Sequence, residues 1–253
     1  MLLENKKGLL IGVANKRSLA WACAETLAQH GARLAFSYQE HFADRVQELI
    51  RSLKDPYSFS MDISKDSEID AGFSRLQHEF GNIDFMIHAV AYAKTEELEG
   101  HFVDTSREGY SMAHDISAYS LVATAKRAVP LMPSGGSIIT LTYLGGERVI
   151  PNYNVMGVAK ASLEMSVRYL ASDLGEKQIR VNAISAGPVR TLASSGVGGF
   201  KKILEVYPER APLHRNVEPV EVGNTALFLC SSLASGITGE VIHVDCGYHI
   251  MGM

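Results

Sequence analysis

The sequence is poor in cysteine, and its three residues, Cys23, Cys230 and Cys246, form no C-x-x-C pair. An odd, scattered set excludes a disulfide framework, fits a reducing compartment and reads as small buried side chains. Basic charge is not in excess either, since 24 Lys and Arg stand against 28 Asp and Glu for a formal net charge of −4. Without a polybasic run there is no electrostatic footprint for nucleic acid. No apolar run approaches the roughly 18 residues of a membrane span. The opening MLLENKKGLLIGVANKR carries charge within its first seven residues and lacks the apolar core of a secretory leader, so a cytoplasmic protein is expected. The nine histidines make no H-E-x-x-H or comparable cluster, which leaves metal catalysis without ligands. Internal repeats and low-complexity linkers are also missing.

What is present is a globular composition, 46% hydrophobic with 22 glycines and 8 prolines. The length of 253 residues suits one domain spanning 1–253, because single cores stop growing at about 250 to 300 residues. Short β-rich runs, GLLIG, ARLAFSY, YSFSMD, IDFMIHAVA, GSIITLTY, IRVNAIS and EVIHVD, alternate with amphipathic stretches. The latter include SLAWACAETLAQHG, ADRVQELIRSL, SEIDAGFSRLQHEFG, a long segment from Arg107 to Leu131, and helices over 153–174 and 219–230. That rhythm predicts an α/β fold, a doubly wound sheet of seven parallel strands with helices on both faces. The longest irregular stretch, 185–217, is punctuated by glycine and small residues and reads as a loop over a site at the carboxyl end of a strand.

The first strand-to-helix turn places Gly12 at a strand end and Ser18 at a helix start, where free N–H groups and the helix dipole favour a pyrophosphate. The usual G-x-G-x-x-G spacing is absent, and an N-cap serine also occurs in any α/β protein. After the second strand stand Gln39 and Glu40, and Glu40 would repel a ribose 2′-phosphate, so NADH is favoured over NADPH. Asp62 ends the third strand run, placed to accept from an adenine amino group with Ile63 packing on the ring; the alternative is an N-cap for a helix over 67–80. In TLTYLGGERVIPNYNVMGVAK, Tyr143 follows the fifth strand, and Tyr153 and Lys160 are seven residues apart at a helix start. Seven residues return to within about 20° of the same helical face. A phenol of reference pKa about 10 donates to developing negative charge, and a nearby ammonium supports that charge or holds ribose hydroxyls. The competing reading is a packed tyrosine and a solvated lysine. His88, ending a buried strand, reads as a satisfied core residue.

These residues carry a resemblance. GVANKRSLAWA, AHDISAYS, YLGGERVIPNYNVMGVAKASLE, RVNAISAGPVRTLASSG and GEVIHVDCGY, with Tyr-x6-Lys and SAGPVRT together, resemble the short-chain dehydrogenase/reductase superfamily in its divergent branch, the bacterial NADH-dependent enoyl-acyl-carrier-protein reductases. The resemblance implies a Rossmann-like fold and reduction of trans-2-enoyl thioesters in the last step of fatty-acid elongation. It implies Tyr153, Tyr143 and Lys160 as the catalytic set, with Lys160 on the nicotinamide ribose. It also implies cofactor contacts from Gly12, Ser18, Leu19, Gln39, Asp62, Ile63 and Val90, and from Val189, Arg190, Thr191, Leu192 and Ala193. Ala93, Tyr143 and Tyr153 would line the acyl site, and the segment 189–207 would be the substrate loop. The implied partners are an acidic acyl carrier protein and, since relatives are usually tetramers, three further copies of the chain. Lys201 and Lys202 are candidates for docking the carrier, or are simply solvated. The rival enzymatic reading is a carbonyl or alcohol dehydrogenase of the same fold, whose lysine should come sooner after the tyrosine. The other rival is a nucleotide-sensing scaffold without turnover.

Overall fold

The computed structural model describes residues 1–191 and 198–252. Seven strands form one parallel sheet: β1 Lys7–Ile11, β2 Arg33–Tyr38, β3 Tyr57–Ser60, β4 Phe85–His88, β5 Gly136–Thr142, β6 Ile179–Ala186 and β7 Val241–Val244. Their order is β3-β2-β1-β4-β5-β6-β7, so the chain reverses its direction of travel across the sheet between β1 and β4. Every strand in an all-parallel sheet is crossed over by a helix or loop, and its carboxyl ends gather along one edge.

Alternation along the strands divides the interior in two. Leu10, Phe36, Phe85, Ile87, Ile139 and Ile184 pack with Trp21, Leu27 and Leu227 on one face, under α1 Leu19–Gln29 and α8 Pro219–Cys230. Leu9, Ile11, Met86, Ile138 and Val181 pack on the other face with Phe73, Leu121, Leu163 and Val167. These last belong to α3 Asp66–Glu79, α5 Ser120–Ala128 and α6 Asn154–Leu174. Successive side chains of a strand point to opposite faces, so a strand buried on both must be apolar throughout. A smaller helix, α2 Ala43–Ile50, buries Val46 and Ile50 beside β2.

The expected segment from Arg107 to Leu131 is two helices, α4 Arg107–His114 and α5, joined without a break through one wide π turn at Asp115–Tyr119. Such turns recur at functional sites. Here Ser117, fully buried, accepts from the Tyr92 N–H at 2.9 Å and donates to the Tyr92 carbonyl at 3.0 Å, tying the chain after β4 to the helix layer.

One expectation is corrected. The stretch 185–217 is not a continuous irregular loop, because α7 spans Phe200–Arg210 within it. Phe200, Ile203, Leu204 and Tyr207 recur at helical spacing, and that period outweighs the glycines before it. Tyr207 is the buried anchor, stacked on Tyr248 at 4.2 Å and donating its hydroxyl to the Asp245 carbonyl.

Candidate functional site

Seven of the sequence-derived candidates follow six strand ends that face the same way. Gly12 follows β1, Gln39 follows β2, Asp62 and Ile63 follow β3, Val90 follows β4, Tyr143 follows β5 and Val189 follows β6. In an open α/β sheet, ligands bind outside the carboxyl ends where the strand order reverses, and here that point lies between β1 and β4.

The turn between β1 and α1 packs directly on the backbone that follows β4. Gly12 adopts a φ of +99°, and a Cβ on it would stand 2.3 Å from the Ala89 carbonyl oxygen, so no other residue fits. Ser18 caps α1, its hydroxyl accepting from the Trp21 N–H at 3.2 Å and donating to the Asn15 carbonyl at 2.8 Å. Leu19 opens the helix, and the first turn presents N–H groups without intrahelical partners. Beside this turn, where the Gly12 N–H meets the Ser37 carbonyl, Ser37 Oγ is buried without a protein partner. A capped helix start whose first N–H groups are free suits a dinucleotide pyrophosphate.

Gln39 and Glu40 are exposed at the end of β2, with Glu40 opening a single tight turn to Phe42. Asp62 does not cap the following helix. Lys65 holds that position and α3 begins at Asp66, while the Asp62 carboxylate accepts from the Ser64 N–H and hydroxyl at 3.0 and 2.7 Å. Burial pushes the Asp62 carboxyl up, but the bonds from Ser64 and Lys65 outweigh it and hold the group below its ordinary value. Ile63 is buried and Val90 packs against the second core. Val189 packs on the first core, Arg190 is exposed and Thr191 is partly buried. Leu192 and Ala193 lie outside the described residues.

At the other end, Tyr153 occupies the N-cap position of the 21-residue α6, and Lys160 sits two turns inside it. Helix and strand end approach closely. A Cβ on Gly157 would stand 2.8 Å from the Gly145 carbonyl oxygen, and one on Gly145 would meet the Tyr153 ring at 2.4 Å. Both glycines thus let the turn after β5 lie flat against α6, with the Tyr143 and Tyr153 rings edge to face at 5.2 Å. Tyr153 and Ala93 pack together around a small third cluster of Leu98, Ala113, Val155, Met156 and Ala159. Lys160 is 5% exposed, and its Nζ donates to the Leu141 carbonyl at 2.8 Å.

Electrostatics favours protonated phenols. Burial, with Tyr248 nearby, pushes Tyr143 up to about 12, and burial, with Tyr143 and Glu164, pushes Tyr153 higher still. Lys160 moves the opposite way, to about 8, because burial disfavours its ammonium while Glu164 supports it. Near neutral pH the site therefore offers phenolic donors and a charged amine. His88 is fully buried between Thr140 Oγ1 at 3.1 Å and Ser120 Oγ at 2.8 Å. Burial and the charge of Lys160 depress it to about 3, so it is a neutral, satisfied core residue, as expected from its place in the strand.

Sequence reasoning missed Glu164. It is a carboxylate 4% exposed, bonded to Thr142 Oγ1 at 2.7 Å, four residues beyond Lys160 on the same helix. The signal was available as an acid at i+4 from a lysine in a helix of otherwise small and apolar neighbours.

The profile of the family described as enoyl-(acyl carrier protein) reductase matches residues 12–249. An enoyl-[acyl-carrier-protein] reductase [NADPH] FabI of Staphylococcus aureus (strain MRSA252) is 54% identical over 250 residues, covering 98% of each chain. The [NADH] FabI of Bacillus cereus (strain ATCC 14579) is 54% identical over 254 residues, covering 99% of each. The crystal structure of the Bacillus cereus enoyl-acyl carrier protein reductase with NADP+ and indole naphthyridinone superposes with a TM-score of 0.98 at 53% identity, covering 100% of this chain and 99% of that one. With the Tyr-x6-Lys helix, the capped β1–α1 turn and the seven-stranded sheet in place, the chain belongs to the enoyl-(acyl carrier protein) reductase family.

Proposed function

We propose that this chain reduces trans-2-enoyl thioesters on acyl carrier protein to saturated acyl thioesters with NADH, the last step of the fatty-acid elongation cycle. The observation that carries this reading is the pairing of Tyr153 at the start of α6 with the buried Lys160 two turns on, both against the end of β5. The turn at Gly12 and Ser18 would hold the pyrophosphate, Asp62 and Ile63 the adenine, and Lys160 the nicotinamide ribose. Thr191 and the neighbouring backbone from Val189 would close over the phosphates. Bound NADH supplies a hydride to the substrate β carbon.

Negative charge then gathers on the thioester oxygen, and the chain's task is to stabilise it until a proton, from Tyr153 or through a water relay, reaches the α carbon and completes the reduction. Tyr153, protonated across the neutral range, donates a hydrogen bond to that oxygen, which is stronger in the transition state than in the ground state. Tyr143 and Ala93 line the acyl side of the same cleft, with Tyr143 packed so that it steadies the Tyr153 ring. Lys160, an ammonium below about pH 8, adds positive charge to the site. Glu40, exposed at the end of β2, supports NADH over NADPH by repelling a 2′-phosphate.

No helix among the described residues is long and apolar enough to cross a membrane, and cytoplasmic residence is part of this proposal. So is assembly into a homotetramer, supported by the large apolar side chains that α4, the π turn and α6 expose. The direct test follows NADH consumption with crotonyl thioester beside a ketone panel and beside NADPH. Turnover of the enoyl thioester with NADH preferred is expected; turnover of ketones without enoyl thioesters would transfer the assignment to the carbonyl reductases of this fold.

A further inference from the structure

Three consecutive residues at the end of β5 each engage a different part of α6. The Leu141 carbonyl accepts from Lys160 Nζ at 2.8 Å, Thr142 Oγ1 donates to Glu164 Oε1 at 2.7 Å, and the Tyr143 ring packs on the Tyr153 ring. The middle contact is the unexplained one. A buried carboxylate is unfavourable unless it is bonded and charge-compensated, and Glu164 lies almost wholly inside the protein. Its Oε1 is also wedged against the following turn, where a Cβ on Gly146 would stand 2.6 Å away. One oxygen atom therefore touches the strand end and the turn while its side chain belongs to the helix.

We propose that Glu164 is a positioning residue, its carboxylate locking the end of β5 against α6 through Thr142 and standing as the counter-charge to the Lys160 ammonium. This rests on the reading of Lys160 as the ribose ligand. The surrounding groups leave Glu164 that task. From β4, His88 is neutral. From the turn after β5, Glu147 is exposed and engages His243 at 2.9 Å. On α6 itself, Arg168 is exposed one turn farther along. Tyr143 and Tyr153 stay protonated. Burial raises the Glu164 carboxyl, and the bond from Thr142 draws it back toward the ionised form. Glu164 in turn raises Lys160 against the depression that burial imposes.

Glu164→Gln keeps an oxygen for Thr142 and removes the charge, whereas Thr142→Val keeps the charge and removes the bond. The measurement is kcat/KM for NADH across pH, with NADH dissociation constants at the same pH values. Glu164→Gln is expected to move the alkaline limb down by roughly half to one pH unit, weakening NADH severalfold above the limb and hardly at all below it. Thr142→Val is expected to lower kcat severalfold and leave the limb in place. Glu164→Asp, charged but too short to reach Thr142, should behave like Thr142→Val and keeps the test open if the Gln variant does not fold. A limb at the wild-type position in Glu164→Gln, or identical profiles for the Asp and Gln variants, overturns the proposal. Lys160→Ala run in parallel separates the two levels: if it retains the wild-type alkaline limb, the assignment of Lys160 fails, and not that of Glu164.

Discussion

Tyr153 and Lys160 share a helix but are placed for different work, and single substitutions should separate them. Tyr153→Phe removes the donor and keeps the ring against Gly145 and Tyr143, so kcat should fall by about 10²-fold or more with the NADH dissociation constant nearly unchanged. Lys160→Ala should chiefly weaken NADH, because its loss removes a charged contact to the cofactor. Steady-state kinetics with a fluorescence titration of NADH decides this, and the opposite pattern exchanges the two roles. His88 makes a prediction about stability. Its folded pKa of about 3 lies below the ordinary 6.5, so as pH falls below 6.5 the unfolded chain takes up a proton that the folded chain refuses. Stability from this residue is complete above that value and is lost progressively between pH 6.5 and 3. Urea melts across that window should show a shallower acid slope for His88→Asn than for the wild type, and equal slopes would remove His88 from the acid response.

Elements differ in how openly the sequence declares them. The strands were legible because a parallel strand buried on both faces is a continuous apolar run, as in the FMI that opens β4, each residue of which is buried. The last helix was legible because Pro219 and the reciprocal Glu218–Glu221 capping mark its start. The helix α7 was not, because GVGG precedes it and its one deeply buried side chain, Tyr207, is anchored by Tyr248 and Asp245, about forty residues away. The Tyr-x6-Lys spacing was legible, but not its purpose for Gly157, which the helix needs for contact with a backbone carbonyl and not for flexibility. Gly157→Ala tests that contact. Helix propensity favours alanine by about 1 kcal/mol, whereas driving a methyl against the Gly145 carbonyl costs about 1–3 kcal/mol. That carbonyl belongs to a turn closed by the Gly146 N–H on the Tyr143 carbonyl, so it has little room to yield. A net loss in thermal stability and a fall in kcat are expected; a more stable variant would show that the turn moves aside. On α7, Lys201 and Lys202 are both exposed, with Lys201 only 4.0 Å from Glu205. Reversing both to Glu should raise KM for carrier-bound substrate severalfold and leave KM for a short thioester unchanged, with equal KM values excluding them from docking.

At the scale of the whole molecule, the outer layer over the second core is the least finished part of the surface. On α6, Met165 and Tyr169 are four residues apart on the outward stripe and 49% and 69% exposed, while Tyr110 on α4 and Tyr119 in the π turn are 41% and 53% exposed. Singly exposed apolar side chains are ordinary, but several large ones on packed neighbouring helices mark an interaction face. A symmetric pair of such faces would bury the same stripe from both copies, which is how a closed homo-oligomer is built. The same α6 that would carry this interface also carries Lys160 and Glu164 on its inward face and Tyr153 at its start, so an assembly through this face would be linked to the proposed site by one helix. Met165→Asp with Tyr169→Asp should therefore dissociate the assembly in light scattering, because two carboxylates per copy would be desolvated against their symmetry mates. Activity should fall along with molecular mass as the protein is diluted, while far-UV circular dichroism stays that of a folded α/β chain. If the double variant keeps the mass of the wild type, the contact between copies lies elsewhere on the surface, and the half-buried edge strand β7 becomes the next face to alter.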